Sequence, residues 1–233
     1  MHRRLIIAVL SLLLIDGRTF AGTDSVAIKR APWDDGKYAN ASKSLDHGSL
    51  RVKAPFMFRR LGTYFRNGEN APQLQIPDLE RLYGYASHKQ PSLTWIGHST
   101  MLVQMGGMSF LTDPIWSKIP SPIPLLGPKR FVPTPIAIVD LPKIDLVVIS
   151  HNHYDHLDIP TLRSLAARNA QTLFLVPMGN AALLRRHGIN NVKELDWGQS
   201  LDLPGLTVHC LPAQHWSKRS LTCLLYTSDA ADE

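Results

Sequence analysis

The segment Ser150-His151-Asn152-His153-Tyr154-Asp155-His156-Leu157-Asp158 places three histidines and one aspartate within six positions, His151 to His156. In an extended chain residues two apart point to the same side, so the imidazoles of His151 and His153 reach one metal ion at about 2.0–2.1 Å. Asp155 and His156 follow where the chain is expected to turn into a helix; they point elsewhere and are placed to hold a second ion close by. Two ions roughly 3.5–4 Å apart share a hydroxide and lower the pKa of bound water, which supplies a nucleophile near neutral pH without redox chemistry. Nitrogen and carboxylate donors favour zinc, although iron or manganese suits the same set. The competing reading is a cluster of surface histidines at a strand end, which a single histidine would favour and this clustering does not. A second feature is Pro212-Ala213-Gln214-His215-Trp216-Ser217. His215 there completes the first position as a third imidazole and leaves one place open for water.

Both motifs must be carried by strand ends. Asp145–Ser150 (DLVVIS) is a continuous apolar run, which suits a strand buried on both faces, and the histidine cluster begins where it stops. Leu93–Ile96, Met101–Met105 and Met108–Thr112 are short apolar or alternating runs, and Gly106-Gly107 between the last two is a two-residue hairpin signal. Asp113-Pro114 ends the third run. From Pro114 to Pro135 seven prolines exclude helix and central strand, so a lip over the site is expected there. A helix is expected from about Ile159, with Asp158 as cap, Pro160 in the first turn, and Leu162, Leu165 and Ala166 on one face. Thr172–Val176, Val192–Leu195 and Leu206–Leu211 read as further strands, and Asn180–His187 as a short helix stopped by Gly188. Alternating strands and helices give an α/β class with helices covering sheet layers.

The bulk composition agrees. Hydrophobic residues make up 44% and charged residues 19%, which sets aside a disordered chain, a collagen and a coiled coil. Cys210 and Cys223 are the two cysteines, and Cys223 lies in a terminal segment of doubtful origin, so no disulfide framework is expected. Residues 1–21 have a short basic start, an apolar run Leu5–Ile15 and small residues at Thr19 and Ala21, the pattern of an export signal; a buried core helix or an uncleaved anchor competes with it. Residues 22–91 read as an N-terminal arm, irregular over 22–54, followed by a basic-aromatic segment. Within it, Phe56, Phe58, Tyr64 and Phe65 interleave with Arg59, Arg60 and Arg66, which suits contact with an anionic membrane surface or, equally, a solvated face with its aromatics turned inward. Residues 92–222 read as the domain that carries both histidine motifs. Residues 223–233 (CLLYTSDAADE) resemble translated sequencing adapter, so the domain is expected to be partial.

HNHYDH is the HxHxDH signature of the metallo-β-lactamase superfamily. Trp95-Ile96-Gly97-His98-Ser99-Thr100, Leu111-Thr112-Asp113-Pro114 and PAQHWS resemble the branch that contains N-acylphosphatidylethanolamine-hydrolysing phospholipase D, and the likeness runs over roughly residues 30–222. The resemblance implies a four-layer αββα sandwich with two zinc ions at one edge of its sheets. It implies His151, His153 and His215 on the first zinc, and Asp155 and His156 on the second. It also implies a bridging aspartate and one more histidine downstream of residue 222, for which this chain has no candidate. On that basis the chain by itself is expected to fold poorly or to bind at most one zinc weakly. His98, in a tight connection between strands, is expected to support the site from behind a ligand rather than bind metal itself. Asp113 either accepts a hydrogen bond from a ligand histidine or caps a turn, while His187 and His209 read as structural.

The expected function is a zinc-dependent hydrolase in which Asp155 binds metal and orients a bridging hydroxide, with phospholipase D-like cleavage of N-acylated phospholipids heading the substrate list. The alternatives are another hydrolase of the fold, a lactonase or a nuclease, or an inactive fragment or metal-binding pseudoenzyme. A lipid or small-molecule substrate, an anionic membrane surface, no nucleic acid, and an exported location, periplasmic or membrane-associated, complete the expectation.

Overall fold

The structure, a computed structural model, describes residues 3–8, 11–15, 30–34, 37–38, 74–121, 129–213, 215, 217–219 and 224–225. The basic-aromatic stretch 56–66, most of the arm, the centre of the proline-rich segment, Gln214, Trp216 and nearly all of 223–233 lie outside these residues.

The chain begins with short strands β1 (Arg3–Ala8), β2 (Ser11–Ile15), β3 (Trp33–Asp34) and β4 (Lys37–Tyr38). Helices α1 (Leu79–Tyr83) and α2 (Tyr85–His88) precede the antiparallel strands β5 (Ser92–Gly97), β6 (Thr100–Met105) and β7 (Met108–Thr112). A β-α-β-α-β run follows: β8 (Leu146–Val148), α3 (Ile159–Arg168), β9 (Leu173–Pro177), α4 (Ala181–Arg186) and β10 (Val192–Leu195). It leads into β11 (Ser200–Leu203), β12 (Leu206–Cys210), β13 (Ser217–Lys218) and β14 (Leu224–Leu225). Strands β5 to β10 make one six-stranded sheet in the order β10-β9-β8-β7-β6-β5, antiparallel from β5 to β7 and parallel from β7 to β10. The second sheet has the order β11-β12-β1-β2.

Side-chain alternation divides the core into two layers, because successive residues of a strand face opposite sides of the sheet. Leu102, Leu111, Val147, Phe174 and Val176 turn to one face and pack on Leu162 and Leu165 of α3, Leu184 of α4 and Leu82 of α1. Their neighbours Val103, Phe110, Leu146, Val148 and Leu175 turn to the other face and meet Leu206 and Val208 of β12. The order is helices, sheet, sheet, the α/β layering of a metallo-β-lactamase fold; the second helical layer of a four-layer sandwich is not among the described residues. Strands buried on both faces need an apolar residue at every position, which explains why Leu146, Val147 and Val148 are all buried.

The expected strands from Ser92 onward and the two later helices are present, with ends shifted by a residue or two. Gly106 and Gly107 have φ of +61° and +82°, as a two-residue turn with both positions left-handed requires. One feature differs from expectation. Asp158 stands before α3 but makes no side-chain cap; its carboxylate accepts from Trp116 N, Ser117 N and the hydroxyls of Ser117 and Thr161, because the incoming loop reaches it first. Helices α1 and α2 lie at the end of residues 22–91, where the sequence offered no element. They are too short to show a period, and Asp78 caps α1 by accepting from Arg81 N at 3.0 Å. The N-terminal apolar run is split between β1 and β2, with β1 parallel to β12 and antiparallel to β2.

Candidate metal centre

One end of the six-stranded sheet gathers every site residue that sheet supplies. Because β7 and β8 are parallel, with Thr112 opposite Val148, the residues just beyond them, Asp113 and Ser150, emerge side by side. Pairing of Met101 with Thr112 brings the turn between β5 and β6, which carries His98, to the same end. Thr100 locks the corner, its hydroxyl donating to Asp113 O at 2.8 Å and accepting from Ile115 N at 3.1 Å. His215 arrives from the other sheet, beyond β12.

Two groups of donors result. In the first, His151 Nε2 lies 2.8 Å from His153 Nδ1 and 3.0 Å from His215 Nε2. The tautomer of His151 follows from its other side. Ser150 Oγ lies 2.6 Å from an oxygen of the Asp113 carboxylate, to which it must donate, so it accepts from His151 Nδ1–H at 2.9 Å. His151 Nε2 therefore presents a lone pair to two nitrogens at once. One in-plane lone pair cannot take two linear hydrogen bonds, whereas a single cation among three nitrogens satisfies all of them.

The second group is His98, Asp155 and His156, whose donor atoms, like those of the first, all lie within 4.8 Å of one another. His156 Nδ1 donates to Asp113 Oδ2 at 2.9 Å, which turns Nε2 toward Asp155 Oδ2, 3.8 Å away. His98 Nε2 approaches the same oxygen at 3.1 Å. His151 and His156 join the two groups, with ring centroids 4.0 Å apart.

The electrostatics follow from this crowding. Burial, then the neighbouring imidazoles of His156, His215 and His153, push the pKa of His151 far below its ordinary value, so the ring stays neutral and ready to bind metal. Burial by itself would raise the Asp155 carboxyl. The hydrogen bond from His98 and the charge of His156 outweigh it, and Asp155 is held well below the usual carboxylate range. A neutral His151 and an ionised Asp155, among imidazoles held from behind by Asp113 and Ser150, are a donor set suited to divalent metal.

All seven residues singled out from the sequence meet here: His151, His153 and His215 in the first group; His98, Asp155 and His156 in the second; Asp113 behind both. The His98 imidazole lies among the donor atoms of the second group. Sequence reasoning missed Ser150, which bridges Asp113 to His151, and Arg219, which donates to the carbonyls of Asn152 and Leu157 and stacks on Tyr154 with 4.3 Å to the ring centroid. Its only cue for Ser150 was adjacency to the motif, and it had none for Arg219, which is 62 residues from Leu157.

Residues 109–229 match the family model described as beta-lactamase superfamily domain. The chain is 38% identical over 213 residues to an uncharacterized protein of Mycobacterium tuberculosis, covering 88% of this chain and 55% of that protein. It is 41% identical over 138 residues to N-acyl-phosphatidylethanolamine-hydrolyzing phospholipase D 1 of Caenorhabditis elegans, covering 55% of this chain and 39% of that one. Among solved structures, a metallo hydrolase from the hyperthermophilic archaeon Ignicoccus hospitalis is 26% identical, with a TM-score of 0.42, over 54% of this chain and 49% of the other. The chain thus spans about half or less of the length of these relatives.

Proposed function

This chain belongs to the β-lactamase superfamily, and from that membership we propose that it is a zinc-dependent hydrolase of phospholipase D type whose substrates are N-acylated phospholipids. The observation that carries the metal-dependent reading is the convergence of five imidazoles and one carboxylate, in two groups, at one end of the sheet. The similarity to the phospholipase D of Caenorhabditis elegans supports the substrate class.

In this reading His151, His153 and His215 hold the first ion, and Asp155 and His156 contribute to the second. Bound there, zinc would polarise a phosphoryl oxygen and make water nucleophilic near neutral pH. The chain's own part is positional. Asp113 and Ser150 fix the ring of His151 from behind, and Asp113 alone fixes His156, so both Nε2 atoms face the site. Asp155 is the catalytic carboxylate; it stays ionised and orients the attacking water. Export to a membrane surface belongs to the same proposal and rests on the apolar run Leu5–Ile15.

The test is release of phosphatidic acid from vesicles containing N-acylphosphatidylethanolamine, abolished by chelation and restored by Zn²⁺. Hydrolysis of lactones with no phosphatidic acid formed would reject the lipid assignment and leave the metal reading standing.

A further inference from the structure

We propose that His98 is a metal ligand, the third donor of the second position, so that this stretch of chain holds two ions with its own six side chains. The inference rests on the metal-dependent reading above and deepens it.

Three observations carry it. First, His156 Nε2 and Asp155 Oδ2 face each other across 3.8 Å, too far apart to hydrogen-bond directly, and border one gap. His98 Nε2 borders the same gap, 3.1 Å from Asp155 Oδ2. Second, the spacing of donor atoms repeats that of the first group, with each set of three inside 4.8 Å. Ring centroids of His98 and His156 are 5.1 Å apart, as are those of His153 and His215. Third, the backbone is bent to bring the ring there. His98 has φ +51°, a left-handed conformation that costs a non-glycine residue about 1–2 kcal/mol, and Trp95 Nε1 holds it by donating to His98 O at 2.8 Å. The side chains of His98 and Asp155 are 48% and 43% exposed, so an ion can enter from solvent.

The chain as it stands, stripped of metal and titrated with Co²⁺, provides the test, comparing wild type with His98→Asn. Asparagine tolerates the left-handed turn and removes the imidazole. Far-UV circular dichroism and denaturant unfolding establish that the variant folds. The expected result for wild type is two Co²⁺ per chain. In the variant, one hyperfine-shifted imidazole set should vanish from the proton spectrum, and the weaker affinity should fall by more than the roughly 10- to 100-fold that loss of an outer partner costs. His151→Ala should instead weaken the other site. An unchanged imidazole count in His98→Asn, with or without weaker binding, overturns the assignment and leaves His98 as a partner that positions Asp155. Wild type that takes up one Co²⁺ also overturns it. Wild type that binds no Co²⁺ overturns the underlying metal reading as well, which separates the two failures.

Discussion

Asp113 accepts from Ser150 N and Ser150 Oγ, each at 2.6 Å, and from His156 Nδ1 at 2.9 Å, so one buried carboxylate sets the orientation of both histidine groups. Replacing it with Asn puts an amide N–H₂ where an acceptor is needed. Asp113→Asn should lose about 1–3 kcal/mol in urea unfolding and weaken metal binding by roughly 10- to 100-fold; a variant with wild-type metal affinity would show that the ligand rings are positioned by something else. Protonation argues at the same scale. The folded-state pKa of His151 is depressed, so below the ordinary value of 6.5 the unfolded chain binds a proton that the folded chain does not. The metal-free protein should therefore lose stability as pH falls from about 7 toward 5, by as much as ~1.4 kcal/mol per pH unit for one such group. Asp155, also depressed, adds a second loss further down, as pH falls through the ordinary carboxylate range near 3.8. A flat profile of unfolding free energy between pH 7 and 5 would contradict the neutral His151.

Between residues and fold stand two hairpin turns that touch. A Cβ on Gly205 would lie 1.9 Å from Gly106 O, and one on Gly106 would lie 2.5 Å from Gly205 O, so the β6–β7 and β11–β12 turns pack backbone to backbone. Gly107, beside them, has nothing within 4 Å of the same position. All three have positive φ, which makes them a matched comparison. Gly107→Ala should cost only the left-handed penalty of about 1–2 kcal/mol. Gly205→Ala should cost clearly more in chemical denaturation, because the two sheets must part at that corner; equal losses would mean that the turns are not in contact. The Gly106-Gly107 hairpin was legible in the sequence because its chemistry is local. Strand β11 was not, since Ser200–Leu203 is four residues of alternating exposure whose pairing with β12 supplies its only reason to be extended.

On the scale of the molecule, the first metal position joins two sheets. His151 and His153 follow β8 of the six-stranded sheet and His215 follows β12 of the other, so an ion bound by all three is a cross-link between layers otherwise held by apolar contact. Binding to the folded state alone stabilises it by mass action, about 2.7 kcal/mol at a hundredfold excess over Kd. Chelation should accordingly lower the melting temperature of wild type and leave that of His151→Ala nearly unmoved. The apolar part of the same junction is read from Leu146, fully buried between the sheets. Leu146→Ala should cost about 2–5 kcal/mol, and a loss under about 1 kcal/mol would indicate sheets that do not pack as described.

The sequence by itself determined the ligand types, their spacing on one chain segment and the strands that carry them. These depend on period, composition and turn chemistry, all properties of neighbouring residues. It pointed to His215 as partner of a cluster 64 residues earlier, and to Asp113 as one of two things. Only the tertiary structure decided that Asp113 stands behind both groups, that Ser150 sets the His151 tautomer, and that the His98 ring lies among donor atoms. Those outcomes turn on the register of β7 against β8 and β6 against β7, which brings together residues 37 and 43 positions apart and is specified by the whole buried face of the sheet, not by any local segment.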